Sequence, residues 1–359
     1  MSRKTIIGIT HGDINGVGYE VIMKTFQDAR ILEMCTPVVY GSPKVAAYHK
    51  KALNMETFNF NAIRAAKDAD SKKVNIINCI DDNVRVELGK TSDTAGESSY
   101  LALEAAIKDL KAGFIDALVT APMGADNIKS DSHSELLAHQ FNTTNSLTFM
   151  VSEMMKVGLV TGNIPVSGIA NLITKDSIVN KLKIMSHSLV QDFSINKPRI
   201  AVLGLNPHAG DGGLFGNEEI NIIIPAIQEA KEQGILAVGP YSSDGFFGSG
   251  DFAKFDGILA MYHDQGMIPF KMISFSQGVN YTAGLPVIAT SAAHGTALDI
   301  AGEGTASPDS FRSAIYMALD ICKNRAIFKE ISKNPLKKYD INPNQIDESI
   351  DLTEEEPVL

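Results

Sequence analysis

Short apolar runs rich in β-branched residues alternate along the chain with stretches of helical spacing. The strand-like runs are 5–10, 37–40, 74–79, 115–121, 157–161, 199–206 and 256–262, and the helical stretches are 98–111, 176–193, 217–233 and 310–324. Most of the short runs are apolar almost throughout, as strands are when both faces of their sheet are covered. The pattern therefore predicts an α/β protein with a largely parallel sheet.

Length and composition narrow the class further. A chain of 359 residues is long for one hydrophobic core, so two domains are expected, with the acidic tail 346–359 outside both. The formal net charge is -10 and the basic residues are scattered, which argues against nucleic acid as a partner. We also expect no membrane segment, because no apolar run is long enough to span a bilayer.

The cysteines and the N-terminal sequence bear on the compartment. Cys35, Cys79 and Cys322 are odd in number and widely spaced, which is typical of reduced core thiols rather than of a disulfide framework. The chain starts with a strand-like segment and no signal-peptide pattern. A cytoplasmic location is the expectation.

The segment 204–219 combines the features of a ligand loop. A predicted strand runs into a loop that holds His208 among five glycines, and a helical stretch follows. Glycines allow backbone to approach a ligand closely, and an imidazole at a strand end can bind a metal ion. The alternative is that His208 only stabilises a turn.

A second apolar strand ends at His263, Asp264 and Gln265, with Lys271 farther along. Adjacent histidine and aspartate supply a ring nitrogen and a carboxylate, either as two metal ligands or as a ligand and its hydrogen-bond partner. Lys271 offers a cation to a phosphate or carboxylate. We therefore expect a divalent metal ion between His208 and His263, beside a pocket for a small anionic substrate. An exposed polar turn is the alternative.

Two further patterns are interpreted as structural rather than catalytic. The glycines of the segment 12–18 have the wrong spacing for a dinucleotide fingerprint, so we interpret them as a turn that packs tightly near the cleft. His49, His139 and His187 lie in helical surroundings, and we expect them at the surface.

Several stretches resemble the 4-hydroxythreonine-4-phosphate dehydrogenase family of pyridoxal phosphate biosynthesis. They are GLNPHAGDGGLFGNEE, MYHDQG followed by PFK, GVNYTAGLP and HGTALDIAG, and the similarity extends through GPYSSDGFFGS, LVTGNIPV and VTAPM to the opening THGDINGVGYE. These stretches cover nearly the whole chain in the family's order.

The resemblance implies a fold like that of the isocitrate and isopropylmalate dehydrogenases. Two α/β domains would then surround a central cleft, the first formed by 1–119 and 285–345 and the second by 120–284, which carries most metal-site residues. It also implies a homodimer with shared active sites, NAD as cofactor and a divalent metal (Zn, Mg or Co). The implied reaction oxidises and decarboxylates 4-phosphooxy-L-threonine to 3-amino-2-oxopropyl phosphate, with the metal as Lewis acid.

Site residues follow from the resemblance position by position. His208 and His263 match metal-binding histidines, and Asp244 and Asp264 match carboxylates beside the metal; we group these four as catalytic. The implied substrate-binding residues are His133, Ser134, Lys271 and Asn280. No residue is assigned to the cofactor.

The sequence departs from the family pattern at several of these positions. Asn163 stands where the family has its third metal-binding histidine, and an amide oxygen is a weak ligand for zinc-like ions. Ala125 and Ala289 replace basic residues, and Ala293 replaces an aspartate. Two alternatives therefore stay open: a catalytically impaired or silent homologue that binds a phosphorylated metabolite, and a dehydrogenase for another hydroxy-acid phosphate.

Overall fold

The computed structural model describes residues 3–124, 133–143 and 145–335, with only the backbone of His133. Ala125 and the predicted acidic tail lie outside the described residues. Within the described part, twelve strands form one sheet. They are β1 Thr5–Thr10, β2 Cys35–Gly41, β3 Asn61–Ile63, β4 Asn75–Asn78, β5 Ala117–Thr120, β6 Leu147–Val151, β7 Lys156–Leu159, β8 Arg199–Leu203, β9 Leu236–Tyr241, β10 Gly257–Ala260, β11 Val279–Ala283 and β12 Ala289–Ala292.

Helices cover the sheet on both faces. They are α1 Gly18–Phe26, α2 Ile31–Met34, α3 Pro43–Ala52, α4 Asp93–Lys111, α5 His133–Gln140, α6 Ile169–Leu172, α7 Lys175–Gln191, α8 Ile224–Glu232, α9 Ser243–Gly248, α10 His263–Ser274 and α11 Asp309–Ile331. Local sequence explains several of their first residues. Ser42, Ser92 and Thr174 each cap a helix by accepting a hydrogen bond from backbone N–H groups of its first turn.

The strand order is β3-β4-β2-β1-β5-β12-β11-β6-β7-β10-β8-β9. All neighbours pair in parallel except around β11 and β6, where β11 is antiparallel to β12 and to β6, and β6 is antiparallel to β7. Strands from the two ends of the chain occupy one half of this order, and the strands between 147 and 283 occupy the other. The antiparallel strands therefore lie in the middle of the sheet, where the two halves meet.

The predicted class and elements are confirmed in their main lines. Each predicted strand overlaps an observed one, and each predicted helix overlaps an observed helix. One stretch differs in detail, because the predicted helix 217–233 begins as a π-helical turn, Glu219–Ile223, before α8. The strands β3, β6, β9, β11 and β12 were not predicted. None of the described helices is both long and apolar enough to cross a membrane.

The turn at Gly12 to Gly18 packs as tightly as predicted. A Cβ atom at Gly12 would lie 2.3 Å from the carbonyl oxygen of Pro122, and one at Gly16 would lie 2.7 Å from that of Thr296. The expectation for His49 is wrong, because its side chain is buried and its Nε2 lies 2.8 Å from the carbonyl oxygen of Ile14. Spacing on α3 could not reveal that the loop after β1 covers this histidine.

Candidate functional site

A cavity of about 800 Å³ lies over the antiparallel middle of the sheet. Its walls come from the segments that follow β5, β7, β10 and β12, from the faces of β6 and β11, and from α5 and α7. Binding sites for small molecules typically have volumes of about 300–1,000 Å³. This cavity is therefore the candidate active site.

Five of the residues predicted from the sequence line this cavity: Ser134, Asn163, His263, Lys271 and Asn280. Ser134 lies on α5, Asn163 in the loop after β7, His263 and Lys271 on α10, and Asn280 on β11. The remaining predicted residues with described side chains, His208, Asp244 and Asp264, are exposed and do not line it. The side chain of His133 lies outside the described part of the chain, although its backbone begins α5.

His263 and Asp264 form a pair at the start of α10. Nδ1 of His263 lies 2.7 Å from Oδ1 of Asp264. When Nδ1 donates its proton to this carboxylate, Nε2 carries the lone pair, which is the tautomer that a metal ion or an acidic hydrogen requires. The pair is solvent-accessible, with 45% and 70% of the two side chains exposed.

Gln265 connects this pair to the other predicted site segments. Its Oε1 accepts a hydrogen bond from the backbone N–H of Met261 at 2.6 Å, and its Nε2 donates to the carbonyl oxygen of Gly204 and to Oγ of Ser243. One side chain therefore links α10 to the end of β8 and to α9. The sequence places Gln265 at the strand end but does not reveal this linking role.

The loop that carries His208 has an unusual backbone. Residues 208–212 all have positive φ angles, including His208 at 55°, Ala209 at 51° and Asp211 at 41°. Non-glycine residues in this region cost about 1–3 kcal/mol each and persist where surrounding contacts hold them. Such a conformation at a strand end is typical of a functional loop.

Glu219 supplies the contacts that hold this loop. Its Oε1 accepts hydrogen bonds from the backbone N–H groups of Leu205 and Asn206 at 2.7 and 2.8 Å, and its Oε2 accepts one from Nδ2 of Asn206. Burial alone would raise the pKa of Glu219, but these hydrogen bonds lower it below its usual value. A buried, charged carboxylate therefore fixes the conformation of the His208 loop.

Asp244 lies at the start of α9, close enough to His208 for the two charges to interact. Its Oδ1 accepts a hydrogen bond from Oγ of Ser242 at 2.5 Å. This bond, the N–H of Gly245 and the nearby His208 together hold the pKa of Asp244 below its usual value. The carboxylate is thus kept charged and exposed.

These residues do not complete a metal site within one copy of the chain. Among the described residues, no three histidine, cysteine or acidic side chains are close enough to hold one metal ion. His263 and Asn163 face the cavity, whereas His208 and Asp244 lie outside it. The described residues of a single chain therefore offer an incomplete donor set for a divalent metal.

Two buried polar atoms on the cavity wall lack partners among the described residues. They are Oδ1 of Asn280 and Nε2 of His294. Since a buried polar atom without a hydrogen bond is costly, both are suited to bind a polar ligand. His294 was not singled out, although it lies in the quoted stretch HGTALDIAG.

The structure also places two of the departures from the family pattern. Ala289 is buried in an apolar cluster with Leu118, Leu137, Ala138 and Leu285. Ala293 lines the cavity, and its backbone N–H donates to Oγ of Ser310. Neither position supplies a charge to the site.

Comparisons with known proteins place the chain in a family. Residues 33–318 match the family described as pyridoxal phosphate biosynthetic protein PdxA. A 4-hydroxythreonine-4-phosphate dehydrogenase from Bacteroides thetaiotaomicron is 54% identical over 94% of each chain. A putative D-threonate 4-phosphate dehydrogenase from Oceanobacillus iheyensis is 36% identical over 90% of this chain and all of the other.

Solved structures show the same architecture. A crystal structure of 4-hydroxythreonine-4-phosphate dehydrogenase from Klebsiella pneumoniae has a TM-score of 0.75 at 31% identity, covering 89% of this chain and 100% of the other. Isocitrate dehydrogenase from Methylococcus capsulatus has a TM-score of 0.50 at 12% identity, covering 91% and 88%, which shows a shared fold. The fold predicted from the resemblance is therefore confirmed, and this chain belongs to the PdxA family of pyridoxal phosphate biosynthetic proteins.

Proposed function

We propose that this protein is an NAD-dependent 4-hydroxythreonine-4-phosphate dehydrogenase that acts in the cytoplasm. The observation that carries the proposal is the gathering of Ser134, Asn163, His263, Lys271 and Asn280 around one cavity. Ser134, Asn163 and His263 lie far apart in the sequence, and the fold brings them to one cavity with Lys271 and Asn280, which supports a shared role in binding. The high identity to a relative of that name adds support.

The reaction is an oxidation followed by decarboxylation. The hydrogen on C3 leaves as hydride to NAD, and the C3 hydroxyl loses its proton to give a ketone. The bond between C1 and C2 then breaks, carbon dioxide leaves, and the electron pair that remains on C2 is protonated. The product is 3-amino-2-oxopropyl phosphate.

The chain's own residues supply binding and proton handling in this scheme. Lys271 offers a cation to an anionic group of the substrate, and Oδ1 of Asn280 accepts a hydrogen bond from a hydroxyl or ammonium group. His263 lines the cavity, and its Nε2 acts as the proton acceptor while Asp264 orients the ring through Nδ1.

The alternative substrate is a sugar-acid phosphate, since a relative named putative D-threonate 4-phosphate dehydrogenase is 36% identical. The two substrates differ at C2, which bears an amino group in one and a hydroxyl group in the other. Identity of 54% to a hydroxythreonine enzyme favours the amino acid. A direct comparison of kcat/KM for the two compounds decides between them.

We further propose that the protein is a homodimer and that a divalent metal binds between its copies. Apolar side chains that a monomer would leave in water support the dimer: Ile268, Met272 and Phe275 on and after α10 are 56%, 81% and 65% exposed. An interface there would bring exposed donors of one copy toward the other. Sedimentation velocity tests the dimer, and loss of the dimer on Met272→Glu would support this surface as the interface.

The function is tested by incubating the purified chain with NAD, 4-phosphooxy-L-threonine and zinc, magnesium or cobalt in turn. We expect NADH to form, with Lys271→Met reducing kcat/KM about 10- to 100-fold because a charge-assisted hydrogen bond is lost. The matched control is Lys67→Met, which removes an exposed lysine that does not line the cavity. A folded wild-type protein that forms no NADH with any metal would instead support a silent homologue.

A further inference from the structure

We propose that Lys181 is a second substrate-binding cation and that it binds the phosphate group. This assignment rests on the proposed function, because it names the residue that recognises the phosphate in the same cavity. Lys181 lies on α7, 90 residues before Lys271 in the sequence, and both line the cavity.

The position of Lys181 on α7 directs it to the cavity. The helix buries Ile178, Leu182 and Met185 under the sheet. Lys181 lies beside this apolar face, half-buried, and its Nζ donates a hydrogen bond to the carbonyl oxygen of Ser146, just before β6. The ammonium group is thereby anchored at the wall formed by α5, α7 and the start of β6.

The ammonium group of Lys181 is incompletely satisfied. An ammonium has three N–H donors, and within the described residues Lys181 uses one of them, on Ser146. Lys24, another half-buried lysine, uses all three on Glu20, Gly304 and Ala306. Lys24 therefore has the hydrogen bonding of a structural lysine, whereas Lys181 retains donors for a ligand.

The charges around Lys181 also favour an anionic ligand. Burial lowers its pKa, and the more distant Glu135 offsets only part of this effect. No carboxylate of the described chain lies within 4.0 Å of its Nζ. Because a dehydrated cation is costly without a close anion, an anionic ligand would stabilise this lysine more than an exposed one.

Other cationic positions do not serve this end of the cavity. Among its described lining residues, Lys181 and Lys271 are the lysines and no arginine is present. Ala289, which stands where the family pattern has a basic residue, is packed in an apolar cluster. Two separate lysines suit a substrate that carries a carboxylate at one end and a phosphate at the other.

The test compares Lys181→Met with Lys183→Met in the full-length protein. Lys183 is exposed on the same helix, and its replacement by methionine changes the net charge by the same amount. Inorganic phosphate binding is measured by isothermal titration, and KM and kcat are measured with the phosphorylated substrate. We expect Lys181→Met to weaken phosphate binding about 10- to 100-fold and to raise KM more than it lowers kcat. Lys183→Met should leave both unchanged.

Lys181→Arg keeps the charge and should retain phosphate binding to within a few fold, which separates loss of the cation from loss of folding. Equal phosphate binding by wild type and Lys181→Met, equal losses in both methionine variants, or no binding by the wild type would each overturn the assignment. A wild type that binds phosphate through Lys181 but forms no NADH would overturn the proposed function and leave the phosphate site standing.

Discussion

Two buried histidines, His11 and His49, predict that the fold is sensitive to acid. His11, at the end of β1, is fully buried, and neither ring nitrogen has a partner in hydrogen-bonding geometry among the described residues. Its ring stacks on Tyr19 with centroids 5.4 Å apart, and His49 contacts the same tyrosine at 5.1 Å. A proton on either imidazole would place a charge in this aromatic cluster.

Burial lowers the pKa of both groups, of His11 from 6.5 to about 3 and of His49 to about 4. The unfolded chain therefore binds protons at higher pH than the folded chain does. Stability is fully present above pH 6.5 and is lost as the pH falls toward the folded pKa values. Each pH unit costs about 1.4 kcal/mol per histidine, so His11 alone accounts for about 2 kcal/mol between pH 6.5 and 5.

Urea unfolding followed by circular dichroism at pH 7.5, 6 and 5 measures this loss in wild type and in His11→Phe. Phenylalanine can stack on Tyr19 but cannot bind a proton, so the variant should lose about 2 kcal/mol less than wild type between the two ends of the range. His187→Phe, at an exposed position on α7, should keep the wild-type dependence. The reasoning is refuted when His11→Phe loses as much stability on acidification as wild type.

Three further predictions concern the site and its support. Glu219→Gln should cost about 1.5–3 kcal/mol in urea unfolding, because the backbone N–H groups of Leu205 and Asn206 would then donate to a neutral amide oxygen instead of a carboxylate; unchanged stability would contradict this. Arg325→Met should cost about 3–5 kcal/mol of unfolding free energy, because Nε of Arg325 lies 2.7 Å from Oδ1 of Asp192 and its removal leaves this buried carboxylate without a cation. Adding Asp192→Asn should restore part of the loss. Asn163→His should tighten zinc binding measured by competition with a chelator, and equal affinity would exclude position 163 from the metal site.

The sequence by itself predicted the elements whose signal is local. Apolar runs gave β1, β5, β8 and β10, because strands buried on both faces need apolar residues at nearly every position. It missed β6, β11 and β12, where polar residues such as Thr148, Asn280 and Ser291 point into the cavity and interrupt the pattern. The strands whose faces line the cavity, β6 and β11, are thus among those whose sequences depart from the rule.

The site residues also divide into those that the sequence named and those that only the tertiary structure placed. Motif resemblance named His263, Lys271 and Asn280, because the identity of those residues is written in short contiguous stretches. Tertiary structure alone decided that His208 stays outside the cavity of its own chain and that Lys181, on an ordinary amphipathic helix, reaches into it. Burial and hydrogen-bond satisfaction depend on which distant segments pack together, and spacing along one segment does not carry that information.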